Sequence, residues 1–441
     1  MHPHHPTDTP SLLSASADAA MVAREELSVS ELLESYIDRV QQRDDAVRAW
    51  AHLDLDAARK AAALADESTS HGPLHGVIVG VKDMIDTADM PTEYGSPIYK
   101  GHRPKKDAAC VQRLREAGAI VLGKTVTTEF AAYHPGKTRN PLNPDHTPGG
   151  SSSGSAAAVA DFQVGVALGT QTSGSTIRPA SFNGVIGFKP TYGVIDTTGF
   201  QPLAPSLDTL GLFARDIADL FLVGPSLGLN VTPGALTRPL RIGVCRTKHW
   251  NDADLQIRSA LEQTAAALAA FGANVRDVVL PRQFDELQTA HQIIMCSEAT
   301  QVYVRERTEH YEELSLEFRQ MIADGLSYSQ EQIDLAFKQA KACREYFAMV
   351  MRDYDVLLTL PAPGEAPRGL KFTGLPVFNR VWTLLHVPCL TYPVAVSSNR
   401  LPLGVQLIGG HGDDQHFLRC AQWIGERTGF NEFDFQQPDA L

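Results

Sequence analysis

Three segments of the chain combine glycine, serine and a charged residue in patterns that could do chemistry. The first is Lys82, directly after the apolar run Val77, Ile78, Val79 and Val81. A lysine closing a buried strand is costly to keep charged. It either snorkels to water or loses its proton and becomes a base, as lysines lowered to a pKa of about 7–8 do. The second segment is Gly149-Gly150-Ser151-Ser152-Ser153-Gly154-Ser155. Alone it reads as a flexible linker. It also matches G-x-S-x-G around Ser152, the nucleophile elbow of an α/β-hydrolase. An elbow needs a buried strand just before it, and the prolines and polar residues of NPLNPDHTP cannot make one. The third segment runs from Gly169 to Pro179 and follows the strand-like VGVAL. Small residues at Thr172, Ser173 and Gly174 leave backbone N–H groups free to converge, as an oxyanion hole requires. Ser175 sits beside them. Read alone, this segment is first an ordinary strand-to-helix turn.

Taken together and in order, the segments resemble the amidase signature family. The matching text is GPLHGVIVGVKDMIDT, then NPDHTPGGSSSGSAAAVA, then ALGTQTSGSTIRPASFNGVIGFKPTYG. It continues through SLDTLGLFARDIADL and resumes at LPLGVQLIGG, so the resemblance spans most of the chain to about residue 425. Lys82 and Ser151 are 69 residues apart, and Ser151 and Ser175 are 24 apart, as is usual in such enzymes. The resemblance implies an α/β amidase-signature fold, a large mixed β-sheet surrounded by helices. It implies a Ser–cisSer–Lys triad: Ser175 as nucleophile, Ser151 as bridging serine after a cis Gly150–Ser151 peptide, and Lys82 as base. It places the oxyanion hole on the N–H groups of Thr172, Ser173, Gly174 and Ser175. Family text commonly has glycine where Ser173 stands, so its side chain either narrows the pocket or adds a hydroxyl near the substrate. Gln171 replaces an Asp found in many relatives.

For the substrate pocket the resemblance points to Tyr133 and His134, to Gly149 and Gly150, and to Phe378, Trp382 and Thr383 in a C-terminal segment. His386 replaces a residue that is commonly glycine. Aromatic walls would favour an aryl or otherwise apolar acyl group. Arg178 meets a substrate carboxylate in some relatives, and arginine binds carboxylates in a bidentate way. The structural alternative for Arg178 is an ion pair with Asp208.

The implied activity is hydrolysis of a small carboxamide, anilide or related amide through an acyl-enzyme. No cofactor and no metal is implied, and histidine has no part in the relay. One alternative is the glutaminase subunit of a tRNA-dependent amidotransferase, which works in a multisubunit complex. Another is a catalytically idle scaffold, against which all three triad residues stand.

These residues need elements to hold them. SVSELLESYIDRV reads as a helix capped by Ser28 or Ser30, with Leu32, Leu33, Tyr36, Ile37 and Val40 on one face. The whole of Ser11 to about Ala65 reads as helical, including LDAARKAAALAD. Strand-like and helical runs then alternate: IVLGKT, VGVALGTQT, LRIGVCR, ANVRDVVL, DVLLTLP and LPLGVQLIG as strands, DAACVQRLREAGA, SAAAVA and DLQIRSALEQTAAALAAF as helices. This alternation predicts an α/β sheet. Residues 283–353 read as an amphipathic helical cap within one amidase domain spanning 1–441.

The chain has 441 residues, 43% of them hydrophobic, with 39 basic and 51 acidic side chains for a net charge of −12. The acidic balance, with no basic block, argues against nucleic acid as a partner. No apolar run approaches the roughly 20 residues of a membrane span, and the first residues lack a signal peptide's pattern. Six scattered cysteines without a C-x-x-C pair fit reduced thiols in a cytoplasmic protein. His2, His4 and His5 fall in a tail, residues 1–10, expected to be flexible. The partners expected are a small amide and water, with a homodimer as the default oligomer.

Overall fold

Ser28, not Ser30, caps the helix Val29–Val47. Its hydroxyl accepts the N–H of Glu31, and the Glu31 carboxylate accepts the N–H of Ser28, at 3.1 and 2.9 Å. This capping box satisfies two donors that the helix start leaves open. Leu32, Leu33, Tyr36, Ile37 and Val40 form the buried face. The computed structural model describes residues 10–69 and 71–428. His2, His4 and His5 lie outside the described residues, as does most of the expected tail, and Pro10 begins the short helical turn Pro10–Leu12.

The strands are β1 (Trp50–Leu53), β2 (Ile78–Lys82), β3 (Ile120–Thr125), β4 (Val166–Gln171), β5 (Ile186–Lys189), β6 (Thr209–Ala214), β7 (Arg241–Cys245), β8 (Asn274–Val278), β9 (Val356–Thr359), β10 (Cys389–Val396) and β11 (Pro402–Ile408). They form one mixed sheet in the order β1-β3-β2-β4-β6-β5-β10-β11-β9-β7-β8. β2 pairs in parallel with β3 on one side and β4 on the other. The central pairs β4–β6, β6–β5 and β5–β10 are antiparallel. The stretch from Ser11 to Ala65 is therefore not all helix. β1 interrupts it, because Trp50 to Leu53 pair with the edge of β3 and the Trp50 indole donates to Gln163 at 2.7 Å.

The parallel pair β2–β4 brings two chain segments to the same end of the sheet. Lys82 is the last residue of β2, and Gln171 is the last of β4. Crevices beyond the carboxyl ends of parallel strands are where α/β sheets bind ligands. The helix Ser153–Ala160 enters β4 from the serine-rich turn and is buried on every side. Only small residues fit there. At Gly154 a Cβ would lie 2.2 Å from the Ala49 carbonyl oxygen and 2.3 Å from the Val126 nitrogen.

The helices Leu287–Val302, Leu316–Ser327 and Gln330–Val350 make up most of residues 283–353. They share a core that includes Ile294, Phe318, Phe347 and Trp382. All six cysteines are buried and unpaired. No helix among the described residues is long and apolar enough to cross a membrane.

Gly154→Ala should lower stability by about 1–3 kcal/mol, the usual cost of overpacking against fixed backbone. Urea unfolding checks this: the midpoint should fall with the slope unchanged.

Candidate active site

Lys82 is fully buried at the end of β2. Its Nζ lies 2.7 Å from Ser151 Oγ and 2.8 Å from Thr170 Oγ1. Burial drives its pKa well below the ordinary lysine value, and the negative charge of Asp208 opposes this only in part. No carboxylate pairs with Lys82 among the described residues. The Gly150–Ser151 peptide is cis. Ser152, the rival elbow serine, is the N-cap residue of Ser153–Ala160, and its hydroxyl donates to the Thr170 carbonyl at 3.2 Å. No strand leads directly into it.

Ser175 is 7% exposed. Its carbonyl accepts the N–H of Ser152 at 3.4 Å, which places it beside the 151–152 turn. Its hydroxyl makes no hydrogen bond to Ser151 or to any other described residue. Reactive hydrogen bonds in unliganded sites are often long and tighten when substrate binds.

The loop before Ser175 has its carbonyls tied and its N–H groups free. Thr383 Oγ1 donates to the Ser173 carbonyl at 2.7 Å and accepts from Gln171 Nε2 at 3.0 Å. Gln171 Oε1 accepts the N–H groups of Thr176 and Ile177 at 2.9 and 3.1 Å. An aspartate at position 171 could accept those two but could not donate to Thr383. The Thr172 hydroxyl donates to Asp208 at 2.5 Å. Asp208 also accepts the N–H groups of Leu203 and Ala204, and its desolvated setting pushes its carboxyl up to about 6. Among the described residues no protein acceptor takes the N–H of Ser173, Gly174 or Ser175. Buried N–H groups without acceptors are rare. Gly174 is held against Asn379: a Cβ would lie 2.3 Å from Asn379 Oδ1.

Arg178 does not pair with Asp208. Asp208 is committed to Thr172, Leu203 and Ala204, while Arg178 Nε donates to the Thr373 carbonyl at 2.8 Å and Nη2 to the Gly150 carbonyl at 2.6 Å. Its Nη1 is buried without a partner. Burial pulls the guanidinium down to about 9, offset by Tyr133 and reinforced by the nearby positive charge of Arg380. Arg380 donates to the Tyr133 hydroxyl at 3.2 Å and leaves its own Nε buried and unpartnered.

The other expected pocket residues divide. Gly150 lies against Thr373 and Thr128, and Gly149, with φ of 80°, lies against Pro179 and Phe182. His134 is exposed and faces Glu317 at 3.1 Å, away from this cluster's hydrogen bonds. Phe378 and Trp382 make their ring contacts in the core, with His249 and Phe347. His386 stacks on Tyr192 at 4.1 Å and contacts Arg344 and the Ser206 carbonyl. Its φ is 64°, a conformation glycine adopts more freely than histidine. The Ser173 hydroxyl turns toward Met295 and His291, both at 3.4 Å. Thr170, Asn379, Arg380 and His291 carried no sequence signal. Three of them lie more than 100 residues from Ser175 and reach the loop only through folding.

A family model described as Amidase matches residues 31–227 and 230–418. The chain belongs to the amidase family, hydrolases that act on carbon–nitrogen bonds. One component of the glutamyl-tRNA(Gln) amidotransferase of Halothermothrix orenii is 31% identical over 460 residues, covering 91% of this chain and 94% of that protein. A solved amidase superimposes with a TM-score of 0.87 at 30% identity, covering 95% of this chain and 100% of its own. The peptide amidase of Stenotrophomonas maltophilia gives 0.81 at 28% identity, over 94% and 97%.

Gly174→Ala would drive a Cβ into Asn379 and displace the free N–H groups of the loop. It should slow covalent labelling of Ser175 by a fluorophosphonate at least about 10-fold, the scale on which a displaced donor acts on developing negative charge. Mass spectrometry of the labelled peptide over time measures it.

Proposed function

We propose that the chain is an amidohydrolase working through an acyl-enzyme on Ser175. The observation that carries this is Lys82, fully buried with no ion-pair partner among the described residues and 2.7 Å from Ser151. Neutral Lys82 takes the Ser151 proton while Ser151 takes that of Ser175. The Ser175 oxygen bonds to the amide carbon, and the free N–H groups of Ser173, Gly174 and Ser175 hold the oxyanion. As the intermediate collapses the C–N bond breaks, and the proton returns through Ser151 to the departing nitrogen. Water then adds by the same relay, releasing the carboxylic acid and restoring Ser175. Histidine is not the base in this scheme. The histidine that contacts the loop, His291, is pulled down to about 3 by burial.

The substrate we infer is a small linear amide whose acyl part carries a carboxylate. Arg178 and Arg380 both keep buried unpartnered N–H groups, and neither has a carboxylate partner among the described residues. A guanidinium held down near 9 by burial gains from an incoming anion. The second reading, a glutaminase working inside an amidotransferase complex, is favoured by the 31% identity to the Halothermothrix orenii protein. Turnover by the purified chain alone separates the two. Activity that appears only with a partner protein selects the second.

Arg178→Met also removes the brace on Gly150, so the readout is the difference between substrates. KM should rise at least about 10-fold more for malonamate than for benzamide, the loss of one charge-assisted hydrogen-bonded contact. Equal effects on both amides would refute the carboxylate reading. Lys82 must be neutral to act, so kcat/KM should rise with pH through its depressed pKa. Asp208 opposes that depression, so Asp208→Asn should lower the pKa further and move the acid limb to lower pH. A limb that stays put, or moves up, speaks against Lys82 as the titrating group. Asparagine can keep its oxygen on the N–H groups of Leu203 and Ala204 and turn its NH2 to the Thr172 hydroxyl, which can accept, and this limits structural side effects.

A further inference from the structure

The residues that tie down the Ser175 loop include one from the helical cap. His291 lies on Leu287–Val302 and is fully buried. Its Nε2 is 2.8 Å from the Thr172 carbonyl oxygen and 3.4 Å from Ser173 Oγ. A carbonyl can only accept, so Nε2 carries the proton and Nδ1 is bare. Nδ1 is buried and has no partner.

A peptide group is planar, and in the trans form its C=O and N–H point in opposite directions. Fixing the Thr172 carbonyl therefore fixes the N–H of Ser173. Thr383 does the same one residue later: it holds the Ser173 carbonyl and so aims the N–H of Gly174. Both N–H groups are the ones without protein acceptors among the described residues. Two side chains, His291 and Thr383, distant from each other in the chain, thus set the direction of two successive donors.

Resting on the acyl-enzyme reading above, we propose that His291 is a positioning residue for the oxyanion hole. It orients the Ser173 N–H through the Thr172 carbonyl and makes the catalytic loop depend on the cap helix. Without its N–H, the Thr172 carbonyl is buried with no donor, and the 172–173 peptide is free to rotate its N–H away. The Ser173 side chain fits this arrangement, because its hydroxyl lies on the same imidazole and on Met295 and not on a free surface. His291 takes no part in proton transfer.

The test compares His291→Met, which fills the space without a donor, with His291→Gln, whose amide N–H can replace Nε2–H. The methionine variant should lose about 10- to 100-fold in kcat, on the scale of a lost oxyanion donor, with KM within about 3-fold. The glutamine variant should recover most of that loss at a similar melting temperature. Wild-type kcat in the methionine variant overturns the proposal, as does a glutamine variant no better than methionine when both fold normally. A second measurement needs no variant: the imidazole ¹⁵N spectrum of the wild-type protein should show His291 as the Nε2–H tautomer, and the Nδ1–H form overturns the proposal. Ser175→Ala separates the two levels. If it keeps full turnover, the acyl-enzyme reading itself fails. If it is inactive while the His291 variants match wild type, only the positioning role fails.

Discussion

A lysine ammonium taken out of water loses several kcal/mol of solvation unless an anion or a full set of acceptors replaces it. At Lys82 the fold supplies two hydroxyls and no carboxylate among the described residues. Burial disfavours the charged form of an amine that lies 2.7 Å from a serine hydroxyl. Two other lysines show how much this depends on surroundings. Lys124, in the neighbouring strand β3, is equally buried but has Asp83 at 3.3 Å and the Ile85 carbonyl at 2.7 Å. Lys189, at the end of β5, donates to the carbonyls of Pro190 and Val387. Lys124 also donates to the Thr92 hydroxyl, but a carboxylate and a carbonyl hold it as well, and Lys189 meets carbonyls. Lys82 alone of the three meets a serine hydroxyl.

The sheet is arranged to keep that amine dry. β3 and β4 flank β2 in parallel, and the all-buried helix Ser153–Ala160 brings Ser151 over the strand end. The small residues of that helix are needed because backbone from β3 and from the Ala49 turn approaches it directly. The same economy of side chains recurs at Gly174, where Asn379 occupies the space of a Cβ. Anchored carbonyls then leave N–H groups unpaired, an arrangement a protein core otherwise avoids. A buried unpaired donor is costly in the resting protein and valuable when negative charge arrives.

The arginines show the same separation of anchoring and charge. Arg178 spends two of its donors on the Thr373 and Gly150 carbonyls, which brace the segment leading into Ser151. Those bonds position the guanidinium without neutralising it. Tyr133 and Arg380 adjoin it without adding an anion. Bracing and charge are thus separate roles of one side chain.

Much of the fold was legible because long amphipathic helices and β-branched runs announce themselves. Val29–Val47, β2, β3, β4 and the helices of 283–353 follow from periodicity. β5 and β6 did not, because IGFK and TLGLFA are short and their strand identity comes from pairing with each other and with distant neighbours. β1 was hidden among helices for the same reason. At the site, Lys82, Ser151 and Ser175 were legible through ordered spacing and the resemblance it carries. The partner of Arg178 was not: nearness in charge and sequence suggested Asp208, but three better-placed donors had already claimed that carboxylate. The sequence by itself determined the family and the strand that buries Lys82, since these rest on local patterns. Only the tertiary structure decided which donors anchor the loop, that His291 is among them, and that Arg178 is left without an anion. Those facts depend on contacts across about a hundred to two hundred residues of chain, where hydrogen-bond direction and competition for acceptors settle the outcome.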